Sequence, residues 1–499
     1  MFGLDQKRQK TVFDRLRQGI LAGTFAPGTR LPPTRALAEE LGTARLTIVL
    51  AYERLAVEGY VRARQGSGTY VSEDLPDAVP GWDIEPTSDA GPAPPRAETA
   101  TVSLSARGAA LARIPSCATP ADALDGTLLT AGVPAADLFP TAAWVRATGR
   151  ALKTMNNELA GYPPPQGLLE LRVQIAGHLA ATRGLIADPS CIVITSGTQQ
   201  ALHMAAQLLL DPGASAWVEN PGYVSGRAAL IAAGVIPIAV PSDREGLDVA
   251  AGIRLAPDAR LVLVAPSHAT PLGGALPVGR RLALLEWAAR GGDSGTAAWL
   301  LEDDCDSEFR WEGHPLPPLA TLDRAGRVIY CGTFSKTLSP ALRLGFMIVP
   351  APLVAAFVRL HALMDRGTGT MTQAVLAQFM KEGRLAPHIR RVRTEYARRR
   401  TALLDAMARH APALTPVRAP GGLHLVTMLP PGTDEAAMVR ACRARDLCVA
   451  PLSAYYVDPA QDTRTIGLVM GFAGLPTAMA ADAAQRLGAS LTQISQAAP

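Results

Sequence analysis

The chain has 499 residues, with 48 Lys+Arg against 44 Asp+Glu for a net charge of +4. Hydrophobic residues make up 48% and aromatics 5%, which suits large globular domains and excludes a disordered or coiled-coil chain. The six cysteines (Cys117, Cys191, Cys305, Cys331, Cys442 and Cys448) show no CxxC spacing and no Cys/His cluster. That excludes a disulfide scaffold and a structural zinc site, so no metal is expected and a reducing cytoplasm fits. The opening MFGLDQKRQK lacks the apolar core of a secretory leader, and the longest uncharged apolar stretch, Ala228 to Val240, is short and broken by Pro237. No membrane association is expected.

Charge is unevenly spread. Residues 1–72 hold 11 Lys/Arg and 6 Asp/Glu, a net of +5, so the remainder nets −1. A basic N-terminal module on a near-neutral body points to an anionic partner. In TVFDRLRQGILAG, Val12, Phe13, Leu16, Ile20 and Leu21 recur at helical spacing. Thr34 to Leu41 reads as a short second helix stopped by Gly42, and Ala44 to Glu58 as a third ended by Gly59. Only Gly42 and Thr43 separate these two, the tight turn of a helix-turn-helix. Tyr60–Ala63 and Thr69–Val71 alternate like strands around a Gln65-Gly66-Ser67-Gly68 turn. Three helices and a hairpin make a winged helix-turn-helix. Its third helix would enter the major groove of double-stranded operator DNA and present Arg45 and Thr47. Arg30, Arg35 and the wing residues Arg62 and Arg64 would hold phosphates. The stretch from ILAGTFAPGTRLPP through AYERLAVEGYVRARQGSGTYV resembles the GntR-type winged helix. It departs in the recognition helix, with Ala44-Arg45 where the family often has Ser-Arg, and Leu46 where it has a polar residue.

The next segment reads as a linker, assigned to residues 73–117. Pro76, Pro80, Pro86, Pro92, Pro94 and Pro95 alternate with Glu73, Asp74, Asp77, Asp83, Glu85 and Asp89, as in an extended acidic tether.

From residue 118 to 499, apolar runs alternate with helical patterns. CIVIT (191–195), LVLVAP (261–266), AWLLED (298–303) and RVIYCG (327–332) read as buried strands, and segments such as QQALHMAAQLLL read as helices. The pattern predicts an α/β fold with a mainly parallel sheet, whose chemistry lies at the carboxyl ends of its strands. Three strand ends carry it. Ser196-Gly197-Thr198 opens a helix after the first, where free N–H groups suit a phosphate. Asp303 stands at the end of AWLLED, among acids that would otherwise suggest a solvated loop. Thr333-Phe334-Ser335-Lys336 follows RVIYCG, with Arg343 just beyond. A Lys for a Schiff base, a carboxylate for a pyridine nitrogen and a phosphate cup are what pyridoxal 5'-phosphate requires. Tyr223, in ENPGY, is placed to stack on its ring.

LAGYPPPQGLLELR, SGTQQAL, ENPGY, PSHATPLGG, EDDCDSEF, GTFSKTLSPALRLGF and GGLHL resemble fold-type I aminotransferases. Joined to the GntR-like head, the chain resembles the MocR subfamily of bacterial regulators. The resemblance implies that Lys336 forms the Schiff base, Asp303 pairs with the pyridinium nitrogen and Tyr223 stacks on the ring. It further implies that Ser196, Gly197, Thr198, Thr333, Ser335 and Arg343 hold the phosphate. Tyr162 would reach the phosphate of the neighbouring subunit in a homodimer, and His268 lies in the loop facing the ring oxygen. Two departures bear on activity. Cys305 replaces a tyrosine that donates to the ring oxygen, and a thiol is a weak donor. Val469 stands where aminotransferase-like members often carry an Arg for the substrate carboxylate, a role an aliphatic side chain cannot fill; Arg464 and Arg418 are the alternatives. The function expected is therefore a transcription regulator that senses pyridoxal phosphate or an amine or amino-acid effector, with the aminotransferase-like domain used for sensing rather than efficient turnover. The other readings are a working aminotransferase carrying a DNA-binding head, and a regulator whose large domain has lost the cofactor and serves as a dimer scaffold.

Overall fold

The computed structural model describes residues 2–64, 67–75, 104–114, 127–155, 161–291, 295–314, 316–457 and 465–497. The chain divides into two compact units, Met1–Val102 and Ser103–Pro499. Most of the expected linker, Cys117 and the Gln65-Gly66 half of the wing turn lie outside the described residues.

The first unit contains α1 (Phe2–Leu21), α2 (Thr34–Glu40), α3 (Arg45–Val57) and an antiparallel hairpin of β1 (Val61–Arg64) and β2 (Gly68–Val71). Val12, Phe13, Leu16 and Ile20 of α1 bury one stripe against Ile48, Ala51 and Leu55 of α3. At about 1.5–3 kcal/mol for each large apolar side chain buried, this core holds the small unit together. The hairpin gains a third edge, because Leu31 N–H donates to Thr69 O (2.8 Å) and Val71 N–H to Thr29 O (2.9 Å). Gly42, at φ +57°, makes the left-handed turn between α2 and α3 that a Cβ would strain.

The second unit is an α/β body built on an eight-stranded sheet. Its strands are β3 (Ile192–Thr195), β4 (Ser215–Asn220), β5 (Ile236–Asp243), β6 (Gly246–Leu247), β7 (Leu261–Val264), β8 (Trp299–Asp304), β9 (Val328–Thr333) and β10 (Gly345–Ile348). They lie in the order β3-β10-β9-β8-β7-β4-β5-β6. β9, β8, β7, β4 and β5 run parallel, while β10 is antiparallel to both its neighbours. Residues of β3, β7, β8 and β9 are almost wholly buried, as expected of strands covered on both faces.

A second sheet, antiparallel, closes the C-terminal part. It contains β11 (Thr415–Pro416), β12 (His424–Met428), β13 (Ala450–Pro451) and β14 (Gly467–Gly471), in the order β11-β12-β14-β13. Leu425 and Met470 from this sheet pack with Leu403, Met407 and Leu487 of the long helices Leu385–His410 and Ala480–Ala497.

A helix, Ala106–Ala112, lies inside the stretch read as linker. Ser105 Oγ caps it by accepting from Gly108 N–H at 3.1 Å, and it packs on the helix Val224–Ala232 of the body. None of its residues is fully buried, so no apolar stripe marks it within the stretch.

Candidate cofactor site and nucleic-acid interface

Three strand ends converge. β8 and β9 are adjacent and parallel, with Asp303 in register with Cys331, so the end of β8 lies beside the turn that carries Lys336. Alternation along β8 sends Asp303 to the face opposite Glu302 and Asp304. On the far face, Asp304 pairs with Arg183 (2.8 Å) and accepts from Tyr330 Oη (2.6 Å), while the Glu302 carboxylate accepts from Leu319 and Ala320 N–H (both 2.9 Å). Asp303 is 6% exposed, and its Oδ1 is buried with no hydrogen-bond partner. Burial, then the neighbouring Asp304 and Asp306, push its carboxyl up to about 7, with Lys336 opposing. The acidic run after AWLLE is therefore a buried strand end rather than a solvated loop. Among the described residues no group of three or more potential ligands is placed to hold a metal ion.

Lys336 Nζ donates to Gly132 O at 2.6 Å, so a loop 204 residues upstream holds the amine in place. Thr333 Oγ1 lies 3.0 Å from Ser335 Oγ and accepts from Ser335 N–H at 3.1 Å. Gly197, at φ +113°, precedes the helix Thr198–Leu209 with no side-chain cap, leaving first-turn amides free for an anion. A Cβ on Gly197 would come 3.3 Å from the Arg343 guanidinium. The structure thus brings Gly197 and Arg343 together in one cradle, with Ser196 and Thr198 on either side of Gly197.

Tyr223 is half-buried and shares a small cavity with Glu219, Leu263, Ala265 and Asp303. His268 is 3% exposed, lies 3.0 Å from Asp306 through Nδ1, and meets the His424 ring edge-on at 5.2 Å. Burial would raise Asp306, but His268 beside it holds that carboxyl below its usual range. Burial and then His268 drive His424 down to about 4. The Cys305 thiol is pushed well up by burial and by Asp306 and Asp303. Tyr162 is 76% exposed, with the Arg366 guanidinium over its ring at 4.7 Å. Val469 is 1% exposed and packs with Val224, Val426 and Leu452. Arg418 faces solvent and pairs with Glu312 at 2.9 Å; Arg464 lies outside the described residues.

Two participants escaped the sequence reading. Gly132 contributes only a backbone carbonyl, which no side-chain motif signals. Glu219 is 5% exposed, with one oxygen unpartnered and its carboxyl pushed by burial up to about 8. It opens the ENPGY motif, in which only Tyr223 was given a role, and an acid ending an apolar strand was the available clue.

In the head, Arg35, Arg45, Arg62 and Arg64 are exposed. Arg45 Nε reaches Thr34 Oγ1 at 3.4 Å, and the Arg64 guanidinium covers the Tyr70 ring at 4.8 Å. Arg30 lies against the wing, where a Cβ on Gly68 would meet its Nε at 2.6 Å. Thr47 corrects the expectation. It is 6% exposed, on the inward face of α3 with Ile48 and Ala51, while Leu46 next to it is 66% exposed. The 100° step of a helix puts adjacent residues on different faces, and Thr47 falls on the core side.

The model of aminotransferase class I and II matches residues 125–487, and that of the bacterial regulatory proteins of the gntR family matches residues 8–71. Together with the cradle and the winged helix, these matches define a DNA-binding regulator with an aminotransferase-like domain. The chain is 36% identical to the probable rhizopine catabolism regulatory protein MocR of Rhizobium meliloti, over 94% of its own length and 91% of the relative's. It is 34% identical to the pyridoxine biosynthesis transcriptional regulator PdxR of Corynebacterium glutamicum, over 92% and 90%. The body is similar to the crystal structure of the α-aminoadipate aminotransferase LysN of Thermus thermophilus, solved with N-(5'-phosphopyridoxyl)-L-leucine. The TM-score is 0.69 at 28% identity, covering 78% of this chain and 98% of that one. The chain belongs to the MocR subfamily of GntR-type transcription regulators. Among the described residues no helix is long and apolar enough to cross a membrane.

Proposed function

We propose that this regulator holds pyridoxal 5'-phosphate through Lys336 and responds to that cofactor, or to an amine or amino acid reacting with it, by changing its hold on operator DNA. The observation that carries the proposal is Asp303 Oδ1, buried and unpartnered at the end of β8, beside the strand whose turn carries Lys336. A buried acceptor without a donor costs about 1–3 kcal/mol, and a protonated pyridine nitrogen relieves that cost. The residues fit the group: Lys336 as covalent anchor, Asp303 toward the ring nitrogen and Tyr223 against the ring face. The phosphate falls to the amides of Gly197 and Thr198, the hydroxyls of Ser196, Thr333 and Ser335, and Arg343; the Ser196 amide is already taken by Gln200 Oε1 (2.7 Å).

Bound pyridoxal phosphate supplies an aldehyde that couples to amines and a ring that withdraws electron density. Asp303 would accept a hydrogen bond from the ring N–H and so keep that nitrogen protonated, and His268 with Asp306 forms a buried polar wall. Tyr162 serves the phosphate of the second subunit in a homodimer. Division of labour follows the chain: residues 1–72 bind DNA, the stretch from 73 to the start of the second unit at Ser103 tethers, and the second unit senses, in the cytoplasm. The two heads of a dimer engage two half-sites, and effector binding biases the body between states that place the heads differently. The test is the visible absorption of purified protein. Wild type should absorb in the visible, and Lys336→Ala should lose that absorption while remaining a folded dimer. A mutant that still retains cofactor after borohydride treatment and dialysis would place the anchor on another lysine.

A further inference from the structure

Helix α3 buries Thr47, Ile48, Ala51, Tyr52 and Leu55. Its outward side over the first two turns is formed by Arg45, Leu46, Val49 and Leu50, with Glu53 one turn further. Leu46 is 66% exposed and Leu50 37% exposed, and they stand four residues apart, so their side chains lie one above the other. Lone exposed leucines are ordinary. Here an apolar strip occupies the tip of the one helix that this head offers to DNA, flanked by the exposed cations Arg35, Arg45, Arg62 and Arg64. No amide or hydroxyl side chain is exposed on these two turns to read the edge of adenine.

We infer that Leu46, backed by Leu50, reads thymine: its side chain packs on the C5-methyl group of one thymine in each half-site of the operator. This rests on the reading that α3 enters the major groove. Arg35, Arg62 and Arg64 match the phosphates and Arg45 stands beside Leu46 on the groove-facing turn, which fixes the occupant of the strip as a nucleic-acid groove. Within that groove the thymine methyl is the one feature that favours an apolar side chain. A purine in that place would have its N7 acceptor covered by Leu46 and left unpaired, and cytosine offers no methyl, so selection works by exclusion as well as by contact.

The test uses the full-length protein and a randomised duplex pool, from which wild type selects its own site. That site is then resynthesised with deoxyuridine, which pairs as thymidine does but lacks the methyl, at one thymidine at a time. Wild type should lose about fourfold in affinity for the critical position in one half-site, the equivalent of about 0.8 kcal/mol for one buried carbon. Deoxyuridine elsewhere should have little effect. Leu46→Ala should bind thymidine and deoxyuridine at that position alike, and Leu46→Gln should move the preference there to adenine, which glutamine reads bidentately. Leu46 is exposed, so neither variant threatens folding. The inference is overturned if wild type binds a selected site but no position distinguishes thymidine from deoxyuridine, or if Leu46→Ala keeps the wild-type ratio. Failure to select any site overturns the DNA-binding reading along with it.

Discussion

Asp303 and Glu219 line one cavity, both buried, and burial raises Asp303 to about 7 and Glu219 to about 8. A raised carboxyl binds its proton more tightly in the folded chain than in the unfolded one. Its contribution to stability is full below the unfolded value, 4.5 for Glu219, and is lost as pH rises toward about 8. Each such group tilts stability downward by about 1.4 kcal/mol per pH unit inside its window. Cofactor-free Glu219→Gln should therefore melt with a shallower loss of Tm than wild type between about pH 5 and pH 8. Identical slopes would mean that Glu219 is ionised throughout. A cationic ring nitrogen next to Asp303 reverses the sign for that residue alone, since it favours the charged carboxylate. Asp303→Asn should weaken retention of pyridoxal phosphate at least tenfold in equilibrium dialysis, because an amide accepts without charge; unchanged retention would remove Asp303 from the site.

At the scale of elements, the head shows what sequence can and cannot carry. The helix-turn-helix was legible because Gly42 and Gly59 punctuate it and its apolar spacing is helical. The orientation of α3 about its own axis was not, since Thr47 looked like a contact residue by type yet packs inward, and Leu46 looked like a departure yet faces out. In the body, β3, β7, β8 and β9 were legible as continuous apolar runs. β10 and the second sheet were not, because these strands of two to five residues are too short to show a pattern of their own. Lys336 and Asp303 stood out by chemistry at strand ends, while Gly132, whose carbonyl holds the lysine amine, carries no local signature. The wing leads to a prediction at this scale. Arg45→Ala should weaken operator binding by about 1–3 kcal/mol, as a lost base contact does. Arg62→Ala or Arg64→Ala should reduce the salt slope of binding by about 1 while leaving base preference intact. Salt titrations of operator affinity that are superimposable for all three variants and wild type would show that another surface meets DNA.

For the whole molecule, the retained anchor and the altered surroundings pull apart sensing and turnover. On the proposed reading, coupling to an amine needs Lys336, Asp303 and the phosphate cradle. Repeated transamination also needs a substrate carboxylate held in place and a donor to the ring oxygen. Val469 is sealed in an apolar cluster, Arg418 is engaged with Glu312, and Cys305 holds its proton on a weak donor. With a panel of amino acids and 2-oxoglutarate or pyruvate as acceptor, the protein should stay below about 1 turnover per second, the low end of ordinary enzyme rates. Sustained turnover above that would favour the enzyme reading.

On the proposed reading, the site at Lys336 and the head on DNA are coupled. A ligand shifts a two-state molecule only by its unequal affinity for the two states, and coupling of this kind is typically about 5–150-fold. The direct measurement is operator affinity of the full-length protein with and without saturating pyridoxal phosphate, for wild type and for Lys336→Ala. Operator affinity should change several-fold in wild type and not at all in the variant. Equal operator affinity with and without cofactor in wild type would contradict it.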